Sequence, residues 1–326
     1  MARDNRLDTL KGLLIILVIM GHVITSLDNA NRVNHAVMGL IYIFHMPLFI
    51  LISGYLTRTP QQQRPKEMWQ GIARIALPLA IFHIISSVRG WCITGKFWVF
   101  FASFPFDILW YLLSLIYWRV VVYYTPRVIL NKPVLHLSIA LAISVLSGLT
   151  HLGNFLSIQR ALNFYLFFLL GYYYRHGAIG QAWWKCNKLH GLAVVVLLPL
   201  IFWLYPHCGN FMNGADHYDL ADIPQKILIL ACSVAMSLLV FNLTRSHRLL
   251  SRIGRDSLFF FLYHRYIITA VIVAWATHSG WSTSLPLVIL YTAVVVVILW
   301  VMSLIKILRW PVYPAIAKFS HTQKSN

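Results

Sequence analysis

Ten apolar runs separated by short polar clusters organise the chain, at roughly 12–27, 36–56, 72–88, 108–124, 134–150, 155–174, 190–206, 225–243, 257–278 and 285–305. A helix needs about 20 apolar residues to cross the hydrocarbon layer, and shorter runs serve inside a bundle. The pattern predicts an all-α polytopic membrane protein with about ten transmembrane helices. Arg160 interrupts the sixth run. The stretch 97–106 (FWVFFASFPF) is too short to span and is expected at the interface or as a re-entrant piece. The first run has no small-residue cleavage site behind it, so it is expected to remain a helix. Loops are short and no repeat stands out, so residues 1–326 read as one membrane domain with a short cytoplasmic tail over 306–326.

Composition agrees. The chain is 59% hydrophobic and only 11% charged, against about 25% charged for soluble domains. The net charge of +18 would suggest nucleic acid in a soluble protein. Here it is better explained by the placement of the cations. With the N-terminus in the cytoplasm, 21 of the 27 Lys and Arg fall on the cytoplasmic side of the ten runs; six do not, namely Arg32, Arg89, Lys96, Arg160, Lys226 and Arg265. That alternation predicts both ends in the cytoplasm and the bilayer, not nucleic acid, as partner. The segment 207–224, with Asp216, Asp219 and Asp222, reads as external. The four cysteines have no CxxC or metal spacing. Cys92 and Cys208 both fall on external segments; a disulfide between them is open, and unpaired thiols are the expectation.

Ionisable side chains inside such runs are costly, about 2.5–3.5 kcal/mol on insertion scales, and are functional candidates by default. They are His22, His45, His83, His264 and Arg265, with Arg160 near an external end. On the first helix, Lys11 and His22 are eleven steps apart, about 20° from three full turns, and Asp8 lies close to the same stripe. Lys11 at the cytoplasmic mouth and His22 about 16 Å deeper suit a tunnel with a cationic entrance and a base at depth. The plainer reading makes Lys11 an anchor and His22 a packing residue. His45 precedes Pro47, whose missing N–H is expected to kink the second helix. His264 shares a face with Ser257, and Arg265 needs a carboxylate, a carbonyl or water. Arg74 before Pro78 has the chemistry to read phosphate or simply to anchor orientation. Asp107 and Trp110 read as a cap and an interface anchor, and His83 and His151 as structural. There is no HExxH, Walker loop, GxSxG or metal-spaced carboxylate set, and no metal is expected.

The order Asp8-x-x-Lys11-Gly12…Gly21-His22, FHMPLFILISGYL (44–56), RIALP (74–78), LWYLLSLIYWR (109–119), RALNFYLFFLLGYY (160–173) and IGRDSLFFFLYH (253–264) resembles the acyltransferase-3 family, most closely the branch named for fucose 4-O-acetylase. The resemblance implies a multi-pass enzyme of the bacterial inner membrane. Such an enzyme transfers an acyl group, often acetyl from acetyl-CoA, to a hydroxyl of a cell-surface glycan or its lipid-linked precursor. Many members carry an essential Arg and His on the first helix; here the positions hold Lys11 and His22, and Lys keeps the charge without the planar fork. Of two arginines that many members carry before the third helix, this chain has Gln70 and Arg74. On this reading His22 is the base, with direct transfer and a transient acyl-His both open. Asp8 orients Lys11. Lys11, Arg74 and Arg6 hold the CoA phosphates. His264 or Arg265 stabilises the oxyanion or seats the acceptor, which His45 and Arg160 also contact. The alternative is a membrane transporter or flippase of a polar substrate, which ten helices with intramembrane His and Arg would fit equally well.

Overall fold

The structure is a computed structural model that describes residues 4–27, 32–96, 104–105, 107–204, 214–273 and 284–314. Most of the 97–106 stretch, Cys208 with the loop around it, and the tail beyond 314 lie outside the described residues. Among the described residues the regular structure is helical: α1 (Asn5–Ser26), α2 (Arg32–Tyr55), α3 (Pro65–Thr94), α4 (Trp110–Tyr124), α5 (Pro133–Leu146), α6 (Ile158–Arg175), α7 (Asn187–Leu204), α8 (Ile223–Leu243), α9 (Arg248–Arg255), α10 (Ser257–Ile267) and α11 (Leu285–Ser303), with short single turns between them.

Over its described residues each of the ten apolar runs overlaps one of these helices, and α9 is an additional short basic one. Five helices, α1, α2, α3, α8 and α11, are long and apolar enough to cross a membrane unaided. Three more apolar stretches, on α5, α7 and α10, are shorter. Helix α6, which carries Arg160, is among the most deeply packed: thirteen of its residues are buried against neighbours. A helix enclosed by other helices need not be apolar all round, since its polar groups meet protein rather than lipid.

Helix starts follow from local chemistry. The Asp4 carboxylate accepts from the backbone N–H of Arg6 at 2.8 Å and begins α1. Pro65 begins α3, and Gly95, at φ +71°, ends it in the left-handed conformation. Asp256 does not cap α10; its Oδ1 accepts instead from Arg309 Nη2 at 2.7 Å, tying the start of the tail to the bundle.

Two clusters of buried apolar side chains form the core. One gathers the start of α1 with α2, α4, α5, α6 and α8. The other gathers the rest of α1 with α3, the start of α4, α10 and α11. Helices α1 and α4 belong to both. The space between the clusters is therefore walled by α1, α2, α4, α6 and α10, and Lys11, His22, His45, Asp107 and Arg160 line it. Helix α9 is fixed against α1 by facing glycines: a Cβ on Gly12 would meet the carbonyl of Leu250, and one on Gly254 the carbonyl of Asp8. That close approach brings Arg255 beside Asp8.

Candidate active site

Three cavities adjoin through shared wall residues, and α1 lines the second and third of them. The first is a polar vestibule of about 310 Å³ at the end of the bundle where α1 begins, lined by Arg58, Gln63, Gln70, Arg74, Arg119 and Tyr123 among others. Arg74 comes from α3 and Arg119 from the end of α4. Among the described residues the buried Nε of Arg119 has no hydrogen-bond partner. Leu56 lines both this vestibule and the next cavity.

The second cavity, about 160 Å³, is a narrow apolar channel. Its polar side chains are Lys11, Ser53, Tyr111 and Ser257, and Ser53 Oγ lies 2.6 Å from the Tyr111 hydroxyl. Lys11 Nζ is 2.7 Å from Asp8 Oδ1, and Arg255 Nε is 3.8 Å from Asp8 Oδ2. The buried Asp8 carboxylate thus bridges two cations, with Lys11 still 20% exposed at the channel wall. Val18, Met46 and Phe261 close the far end of the channel and also line the third cavity.

The third cavity is about 160 Å³. His22 and His45 line it, with Tyr42, Asp107, Trp110 and Arg160. The His22 ring faces the His264 ring at 5.1 Å between centroids, tilted by 40°. His264 Nδ1 is 2.7 Å from the Phe261 carbonyl and 3.2 Å from that of Phe260. A carbonyl only accepts, so Nδ1 carries the proton and Nε2 is left as an acceptor. That buried Nε2 has no hydrogen-bond partner among the described residues. His45 is held the same way, with Nδ1 2.8 Å from the Ile41 carbonyl, so its Nε2 also carries a lone pair. The Arg265 guanidinium donates to Asp107 Oδ2 at 2.7 Å and to Ser26 Oγ at 3.1 Å. The Arg160 guanidinium lies over the Trp110 ring at 5.3 Å. The histidines do not make a metal site: among the described residues no group of three or more His, Cys, Asp or Glu is placed to hold an ion.

The structure brings together His22, His45, His264, Arg160 and Arg265 at one end of α1, and Lys11, Asp8 and Arg74 toward the other. Asp8 stands far from His22, beside Lys11. Arg6 does not line these cavities: its Nε donates to the Thr244 carbonyl at 2.9 Å, its Nη2 to the Phe241 carbonyl, and the guanidinium sits over the Phe241 ring. Its contacts pin the start of α1 to the end of α8. Sequence reasoning missed Arg58 and Arg119, which positive-inside anchoring fully explains, and Asp107, whose carboxylate serves Arg265 rather than a helix cap. It also missed the Ser53–Tyr111 pair, two polar groups with no sequence relation.

A cationic vestibule, an apolar channel and an imidazole cavity in series can admit a long molecule with an anionic head and present its far end to a base. A sequence model described as "Acyltransferase domain" matches residues 4–304. Two curated relatives are nodulation proteins NolL. The one from Sinorhizobium fredii is 32% identical over 123 residues, which is 31% of this chain and 34% of that protein. The one from Mesorhizobium japonicum is 39% identical over 83 residues, 24% of this chain and 21% of that protein. The matched segments therefore span about a third and a fifth of those relatives. No solved structure matches the chain.

Proposed function

The chain belongs to this acyltransferase family, and we propose that it moves an acetyl group from acetyl-CoA to a hydroxyl of a cell-surface glycan, or its lipid-linked precursor, across the bacterial inner membrane. The observation that carries the reading is the order of the three cavities: arginines at one end, histidines at the other, and a narrow apolar passage between them. The phosphates of CoA match the vestibule, where Arg74, Arg119 and Arg58 offer charge-assisted hydrogen bonds. The slender arm of the carrier matches the channel past Lys11. The thioester then arrives beside His22.

A hydroxyl is a weak nucleophile until a base takes its proton. His22 is that base. The acceptor oxygen attacks the thioester carbonyl carbon, the C–O bond forms and its proton passes to His22. The C–S bond then breaks, and the sulfur leaves as the CoA thiol with that proton. The His264 ring packs against the His22 ring, 5.1 Å between centroids, and so restricts how the base can turn. His264 is thus a positioning residue, and Lys11, kept in place by Asp8, adds positive charge along the donor's route.

The test is a His22→Ala variant that inserts and accumulates normally, assayed for acetyl transfer and, separately, for CoA binding. Transfer is expected to fall at least 100-fold, the usual scale for removing a general base, with binding retained. Wild-type transfer by this variant would overturn the proposal. A wild-type protein that binds no CoA and makes no acyl product would favour a transporter.

A further inference from the structure

Asp107 opens a single 3-10 turn, Asp107–Leu109, ahead of α4 with φ at +47°, in the left-handed region that aspartate enters more readily than most residues. A carboxylate at that position ordinarily caps the free N–H groups of the turn. Here it is turned away toward α10, where Oδ2 takes the Arg265 bond at 2.7 Å. Oδ1 has no hydrogen-bond partner among the described residues, and the side chain is 30% exposed on the wall of the cavity that holds His22. Arg160 lines the same cavity, so an acceptor-only group and a donor-only group both face it.

That combination reads hydroxyls. A hydroxyl donates once and accepts twice, so one sugar hydroxyl satisfies a carboxylate and a guanidinium together. The cavity of about 160 Å³ is open on one side, so it can seat one ring of a longer acceptor. We infer that Asp107 selects the acceptor. Its Oδ1 accepts from a hydroxyl neighbouring the one that is acylated, so the acceptor presents at least two hydroxyls on one ring. Arg265 holds the carboxylate in that pose. This rests on the acyl-transfer reading of the same cavity.

The experiment uses purified full-length protein, radiolabelled acetyl-CoA, and graded amounts of lipid-linked glycan extracted from cells deleted for the gene. Asp107→Asn is expected to raise the apparent KM for the extracted glycan about tenfold or more, the scale of a lost hydrogen bond to a charged group, while the KM for acetyl-CoA moves less than about twofold. Asp107→Glu, which keeps the charge toward Arg265 but shifts Oδ1 by a methylene, is expected to raise the glycan KM as well and to keep the wild-type melting curve. An unchanged glycan KM in both variants overturns the inference. So does an equal loss toward both substrates with a lowered melting temperature, which would make Asp107 a support of the fold. A wild-type protein that transfers no label removes the acyl-transfer reading itself.

Discussion

Two arginines meet in the vestibule from different helices, Arg74 from α3 and Arg119 from α4, and they differ in what surrounds them. Arg74 is exposed and works against screening by water and salt. Arg119 is half-buried, and its Nε lacks a hydrogen-bond partner among the described residues. A guanidinium already stripped of part of its water gains more from an arriving phosphate than an exposed one does. Arg119→Gln is therefore expected to raise the KM for acetyl-CoA by about tenfold or more, as losing a charge-assisted hydrogen bond worth about 1.5–3 kcal/mol requires. Because the contact lies far from the reacting carbonyl, it holds ground state and transition state alike, and kcat is expected to stay within about threefold. Steady-state kinetics with acetyl-CoA varied check this. A fall in kcat with no change in KM would place Arg119 outside the donor site. Sequence put Arg74 among the candidates but not the arginines it meets in the vestibule. Arg119 looked like any cytoplasmic-side anchor, because partial burial is created by the neighbours and leaves no trace in local spacing.

Between helices, the tightest constraint on the site is the crossing of α2 and α6. A Cβ on Gly54 would meet the Phe168 carbonyl, and one on Gly171 would meet the Leu51 carbonyl. The two backbones touch, as small residues permit in membrane helix pairs. Backbone cannot step aside like a flexible side chain. Gly54→Ala is therefore expected to cost about 1–3 kcal/mol and to lower the melting temperature in detergent. Ser53 and His45 ride on α2, so transfer is expected to fall in proportion to that displacement. Gly191 in α7 is the control: a Cβ there meets nothing, and Gly191→Ala is expected to be neutral or to stabilise by up to about 1 kcal/mol through helix propensity. Equal melting curves for all three proteins would show that the α2–α6 contact does not limit stability. The helices themselves were readable, because apolar runs and positive clusters need only local sequence. The crossing was not: a glycine permits close approach, but nothing in the chain names α6 as the partner of Gly54. The same limit hid the His22–His264 pair, whose members stand near opposite ends of the chain and meet only because α1 and α10 share a core cluster.

For the molecule as a whole, function depends on whether the two outer cavities are one route. Lys11, Val18 and His22 follow the same face of α1, seven and then four residues apart, so the helix itself lays out the proposed entrance, the constriction and the proposed base in order. Val18, with Met46 and Phe261, is where the channel and the histidine cavity share their walls. Val18 is 3% exposed and its side chain is small, so a large ring at this position must fill the passage itself. If the donor threads the bundle from vestibule to base, Val18→Trp blocks the arm while leaving the vestibule arginines untouched. CoA binding measured by calorimetry is expected to weaken by no more than about tenfold, since the anionic head supplies much of the affinity. Acetyl transfer is expected to fall at least 100-fold, because a carbonyl held away from the base by even an ångström or so loses that much. A transporter would give a different pattern, with no CoA bound by either protein. Wild-type transfer by Val18→Trp would mean that the acyl group reaches His22 without passing α1 at this point. The two ends of the bundle would then have to be explained as separate sites.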